Sequence, residues 1–423
     1  MTFTIINRKQ GWTVAGRLLL VSYLQLFCGS QLYGQQPDIE AAAGAKAAGG
    51  LEALTRGPID SPGPKAVGTF ITFDYPGTFG GTSPSSINPE GKITGSYIAN
   101  SIAHGFVRAR NGTFTTFDVP GSTSTYPSHI SQTGAITGNF IYNNDPNFVA
   151  HGFVRTRNGI IITFDAPGSA SIGTLPSDIN AEGEITGTYY DINFVGHGFF
   201  RARNGTLTTF DAPGAGTTGD FPGTYAVGIN PEGTIVGMYT DTNKATHGLL
   251  RTSDGSFTTF DPPDSIAIFS GFSFGLNLYI NPEGVITGGC FDPDSNKFGG
   301  TRHVFVRAPN GTFTTFDAAN YPPCCIYSFP SGINPTGAIT GSFNDGFSIN
   351  HGFLRATDGT VTTLDVPGAG AVHNTHPNQG TAPLGITPKG EIMGLYIDAN
   401  GATHGFLFLP RGDRDDGDDP NDR

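Results

Sequence analysis

The chain has 423 residues, a formal net charge of −12 with only 23 Lys and Arg, and 62 Gly beside 30 Pro. So acidic a chain lacks the basic face that a nucleic-acid binder needs, and none is expected as a partner. Charged residues at 14% and this much Gly and Pro suit short strands joined by tight turns, and no long stretch shows helical apolar spacing.

In chain order, residues 1–35 read as an export signal. Arg8, Lys9 and Arg17 precede the apolar centre "LLLVSYLQLFC" (18–28), and small residues follow in "GSQLYGQQ". That centre is too short to cross a bilayer as a helix, so no membrane span is expected. Residues 36–67 form an Ala/Gly/Pro-rich flexible linker, and 411–423 ("RGDRDDGDDPNDR") an acidic, disordered tail. The expected location is secreted or periplasmic.

Between linker and tail the chain repeats itself. "HGFVRARNGTFTTFD" (104–118) has near-copies starting at His151, His197, His247, His303 and His351, each ending in Asp fourteen residues after its His. A headless copy, "GTFITFD" (68–74), opens the series, and a tailless one, "HGFLFLP" (404–410), ends it. A second block, "INPEGKITGSY" (87–97), occurs seven times in all without an insertion, the last time as "ITPKGEIMGLY" (386–396). Both blocks read as β-hairpins whose three-residue turns ("RNG", "PEG") end in a left-handed Gly. Each repeat therefore supplies four strands, a ("SIN"), b ("ITGSY"), c ("HGFVRA") and d ("FTTFD"). Seven such units predict an all-β, seven-bladed β-propeller over 68–410. The connections after d are the longest, as the return from an outermost d to an innermost a requires. The headless "FITFD" then becomes strand d of the last blade, closing the ring and removing an open edge.

These two blocks together resemble the HAF-type bacterial extracellular repeat over about 69–409, although Gly, or Val304, stands where the family has Ala. The resemblance implies export and a propeller-like repeat, and it implies no particular activity.

Within each hairpin the turn centres so that His and Asp face each other. The expected pairs are His104–Asp118, His151–Asp165, His197–Asp211, His247–Asp261, His303–Asp317, His351–Asp365 and, across the closure, His404–Asp74. Seven equivalent positions around a ring cannot converge on one centre, so these read as ties between c and d, and no catalytic or metal site is assigned to them. Asp/Asn pairs between b and c (Asp191/Asn193, Asp241/Asn243, Asp294/Asn296, Asp398/Asn400) carry oxygens of the kind Ca²⁺ takes, or are ordinary turn residues; no other cofactor is expected. Cys290, Cys324 and Cys325 fall around one blade in a chain bound for an oxidising compartment. A disulfide from Cys290 to Cys324 or Cys325 is expected, with three free thiols as the alternative.

Length variation is confined to the b–c and d–a connections, which leave one face, so function is expected there. Phe269, Phe272 and Phe274 lie in one such connection, and Tyr321, Tyr327, His373 and His376 in neighbouring ones. They read either as gap-filling aromatics or as a ligand platform. The chain is expected to be a monomeric, non-catalytic binding or scaffold protein for a glycan or cell-surface protein. The alternative is a propeller hydrolase or lyase with acidic residues at the axial mouth of the same face.

Overall fold

The computed structural model describes residues 64–78, 81–143, 145–219, 221–263, 278–291, 302–319, 327–345, 349–371 and 379–411. Among them are 28 strands and no helix. The strands fall into antiparallel meanders of four, seven in all, each with the order a, b, c, d. The third meander is representative: a is Thr174–Ile179, b Ile185–Tyr190, c Gly196–Arg201 and d Leu207–Phe210.

Every element of the "I-x-G" block has a physical reason in this arrangement. Its Ile is fully enclosed, and its Thr donates a hydroxyl hydrogen bond to a carbonyl of strand c, as Thr186 does to Phe199 at 2.9 Å. Its Gly stands where a Cβ would run into the strand a carbonyl, Leu175 O in the case of Gly187, so only glycine lets the two backbones approach. The Phe of "HGF" is wholly buried in six meanders. In the fourth, Leu249 takes that place.

Strand a is irregular in the same way in the second, third, fourth, sixth and seventh meanders, while in the fifth its pairing with b runs without a slip. In those five the pairing slips by one residue between Pro127 and His129, Pro176 and Asp178, Ala226 and Gly228, Pro330 and Gly332, and Pro383 and Gly385. Such a bulge re-aims the side chain that follows it. Core clusters lie between neighbouring meanders, sheet face against sheet face. Phe117 and Val119 of the first pack on Ile130, Ile136, Phe140 and Phe153 of the second, and Leu364 and Val366 of the sixth pack on Ile392, Tyr396 and Phe406 of the seventh.

Chain contacts divide the described residues into two units. The first, Pro84–Asp261, carries the first four meanders. The second joins the segment up to Ser83 with the residues from Pro262 onward and carries the other three. In the second unit Gly68–Phe73 pairs antiparallel with Thr403–Pro410, from Gly68 opposite Pro410 to Phe73 opposite Gly405. An N-terminal strand thus supplies strand d of the seventh meander. Just before it, Lys65 bridges Thr363 on the outer strand of the sixth.

Residues 1–63, which hold the expected signal and most of the expected linker (36–67), and the tail beyond Arg411 lie outside the described residues, as do Phe269, Phe272, Phe274, Tyr321, Cys324, Cys325, His373 and His376.

Candidate functional site

The repeat histidines occupy the same place in all seven meanders. Each starts strand c and meets the Asp that ends strand d. The shorter Nδ1···Oδ distances are 2.9 Å for His104–Asp118, 3.0 Å for His151–Asp165, 2.8 Å for His197–Asp211 and 2.9 Å for His247–Asp261. They are 2.7 Å for His303–Asp317, 2.9 Å for His351–Asp365 and 2.9 Å for His404–Asp74, a pair 330 residues apart. On its other side each imidazole meets the residue that faces it from strand b. Tyr189 lies over His197 at 5.0 Å and 23°, Tyr396 over His404 at 4.9 Å and 24°, and Phe343 over His351 at 5.1 Å and 22°. Aromatic, imidazole and carboxylate therefore bind three adjacent strands of a meander into one clasp. The fifth meander departs from this: Cys290 faces His303 where the others have Tyr or Phe. Cys290 is a free thiol, 3% exposed, and burial followed by the charge of Asp317 pushes its pKa up to about 12.

The Asp/Asn pairs of the b–c connections fold their own loops. Asp191 Oδ1 accepts the N–H of Asn193 and of Val195, and Asp241 and Asp398 repeat the pattern. The backbone donors hold the pKa values of Asp241 and Asp398 below the ordinary carboxylate range. Asp294 and Asn296 lie outside the described residues, among which no group of three or more His, Cys, Asp and Glu gathers. Tyr327, of the expected aromatic platform, starts strand a of the sixth meander opposite Asn344 and is half-buried.

Two further repeat features escape a reading of single hairpins. In "IN-x-x-G" the Asn caps its own turn through Oδ1 and reaches the next meander through Nδ2. Asn180 donates to Asn230 O at 3.2 Å, Asn281 to Asn334 O at 3.1 Å and Asn334 to Thr387 O at 3.3 Å. The Arg that follows "HGF" also crosses a seam, its guanidinium lying over a strand d Phe of the preceding meander. Arg155 is 4.9 Å from Phe117, Arg201 4.9 Å from Phe164, Arg251 4.9 Å from Phe210 and Arg355 4.8 Å from Phe316. The recurring Asn and Arg were visible in the sequence, but the partners lie too far along the chain for the repeat to pair them.

One place breaks the pattern. At the bulge position of strand a the fourth, sixth and seventh meanders have Gly228, Gly332 and Gly385, but the second and third have His129 and Asp178. His129 Nδ1 lies 2.7 Å from Asp178 Oδ1, an ion-pair contact whose angle falls outside hydrogen-bond geometry. Asp178 Oδ1 accepts the Ile179 N–H at 2.7 Å, and Oδ2 accepts the Ile229 N–H of the fourth meander at 2.9 Å. One carboxylate thus ties three successive inner strands. Desolvation acts to lower the His129 pKa and to raise that of Asp178. The attraction between the two overcomes it, with backbone donors assisting, so His129 is raised and Asp178 lowered.

Comparison with known proteins addresses the fold alone. A streptogramin B lyase structure aligns with a TM-score of 0.51 and 14% identity over 81% of this chain and 98% of its own. The β-propeller domain of the Trilobed protease from Pyrococcus furiosus aligns with a TM-score of 0.52 and 10% identity over 79% and 94%. The fold is that of a β-propeller. No protein-family model matches the chain, and no curated protein does.

Proposed function

We propose that the chain is an exported, monomeric, non-catalytic binding protein, a closed propeller of seven blades whose b–c and d–a connections engage a glycan or cell-surface partner. The observation that carries this reading is the contrast between the ends of the blades. Every described a–b and c–d turn closes with the same backbone hydrogen bonds around a positive-φ glycine, as at Gly112 (φ 91°) and Gly183 (φ 83°). The other end holds the insertions and the His–Asp clasps that anchor them, so variation is concentrated there, on a rigid base. Ring closure is supported by the N-terminal strand on blade seven and by the Gly81–Thr403 bridge. That bridge is of the same parallel kind as Ala150–Gly173, Gly196–Gly223 and Asn350–Gly380 between consecutive blades. A HAF-type repeat identity belongs to the same reading. Screening the purified 64–411 fragment on a glycan array and against bacterial surface extracts tests it. Saturable capture, lost when Phe272 and Phe274 become Ser, is expected; no capture by either would sink the binding role.

A second reading, a hydrolase or lyase, rests on one observation. The His129–Asp178 pair departs from the rule the repeat otherwise keeps, and such departures concentrate at functional or strained sites.

A further inference from the structure

The seam between the second and third blades holds several of the chain's departures from its own repeat. Ser131 replaces the Asn of "IN". Its hydroxyl caps its own turn through the Ala135 N–H at 3.0 Å, and it is a shorter side chain than the Asn that crosses other seams. Asn139 in strand b is fully buried, and neither its Nδ2 nor its Oδ1 has a hydrogen-bond partner. In the next seam the equivalent residue, Thr188, accepts the N–H of Ala226 at 3.2 Å. Here that place is taken by Pro176, which has no N–H to donate. Ser128, at the bulge, is likewise buried with its hydroxyl unpartnered. Buried polar groups without partners are rare in folded proteins and call for an explanation.

His129 sits on the same strand, and its accessibility is distinctive. Its side chain is 40% open to solvent, while its Nδ1 is buried against Asp178. The open part of the ring is therefore the side away from Asp178, which carries Nε2. Asp178 is itself held by two backbone N–H groups, so its charge is fixed 2.7 Å from Nδ1.

We infer that His129 and Asp178 form a general-base site on the axial strands, in which His129 Nε2 activates water against an ester or similarly activated carbonyl substrate. This rests on the hydrolase reading and locates it beside the tight a–b turn, at the opposite end of the strands from the connection face expected from the sequence. Nε2 takes a proton from water as the water oxygen bonds to the carbonyl carbon. The resulting imidazolium is balanced by the Asp178 carboxylate. As the tetrahedral adduct collapses, the bond to the leaving group breaks, and the proton passes from Nε2 to the leaving oxygen, restoring the base. No oxidant, reductant or metal enters the balance. His129 is the catalytic residue here, and Asp178 is a positioning residue.

The probe is p-nitrophenyl acetate, hydrolysed by the full mature chain at pH 7.5. His129→Gln is expected to lower the protein-dependent rate at least fivefold, with His129→Gly as the second variant should the first fold poorly. His104→Gln, which alters one repeat clasp, is expected to leave the rate within a factor of two. Asp178→Asn keeps an acceptor for the Ile229 N–H but removes the charge, and should move the acidic limb of the rate–pH profile, where His129 loses its proton, to lower pH. Equal rates in the parent and both His129 variants would overturn the site while leaving a hydrolase active elsewhere open to other probes. A fall in His104→Gln as large as in His129→Gln would also overturn it, by tracing the reaction to the repeat histidines. An unmoved pH limb in Asp178→Asn would remove the positioning role.

Discussion

At the scale of single residues, the clasps set the first expectation. In His197–Asp211 the carboxylate is about half exposed, so the ion pair alone contributes at most about 1 kcal/mol, and stacking on Tyr189 adds about 0.5–1.5 kcal/mol. His197→Ala should therefore lower the melting temperature by a few degrees, and His104→Ala by a similar amount. Sites this far apart should add, so a double variant that lost no more than a single one would contradict independent clasps. Cys290 gives a second expectation. With a pKa of about 12, only about one part in ten thousand is thiolate at pH 8, so Ellman's reagent should reach it only on unfolding. Rapid labelling of Cys290 in the folded chain, mapped by peptide mass, would contradict its burial. The His129–Asp178 pair gives a third. A raised His contributes stability that is complete below its unfolded pKa of about 6.5 and is lost as pH rises through the folded value. A lowered Asp contributes stability present above about 3.9 and lost as pH falls through its folded value. The pair should stabilise most between about pH 4 and 6.5, and the His129→Gln variant should lose less stability than the parent between pH 6 and 9. Parallel melting curves over that range would refute the coupling.

At the scale of strands and seams, the sheets are held together by what crosses between them. The Arg201 guanidinium over Phe164 is planar and weakly hydrated, which is why Arg can be enclosed there at all. Arg201→Lys keeps the charge but loses the flat stack, and should cost about 1 kcal/mol, seen as a lower urea midpoint with an unchanged slope. Hairpins are legible in the sequence because their partners are neighbours. A fourteen-residue spacing centred on a three-residue turn can place His only opposite Asp. Seams are not legible in this way, since Asn180 meets a carbonyl 50 residues away and nothing local marks that carbonyl. The bulge in strand a is a similar case. It turns His129 and Asp178 toward each other, yet in the sequence they are only two irregular letters before Ile.

At the scale of the whole molecule, the strand Gly68–Phe73 is the element with the greatest leverage. It buries Phe73, lays Phe70 against Phe408 at 4.9 Å, and brings Asp74 to His404. Deleting residues 64–74 leaves the Thr403–Pro410 strand as an open edge and removes one clasp. The truncated chain should melt well below the parent by circular dichroism. A midpoint within a degree or two of it would mean that this strand does not close the fold.

What the sequence determined by itself is the repeat: four short strands per unit, the turn chemistry, the His–Asp facing, and the origin of the last unit's outer strand at the other end of the chain. These follow from spacing and from backbone rules that act within a few residues, so they can be read without coordinates. Only the tertiary structure decided what lies between the sheets, namely the Asn and Arg contacts across seams, the enclosed amide of Asn139, and the meeting of His129 with Asp178. Those depend on which atoms two separately formed sheets bring into contact, and a bulge of one residue reverses the side to which a chain turns its side chains.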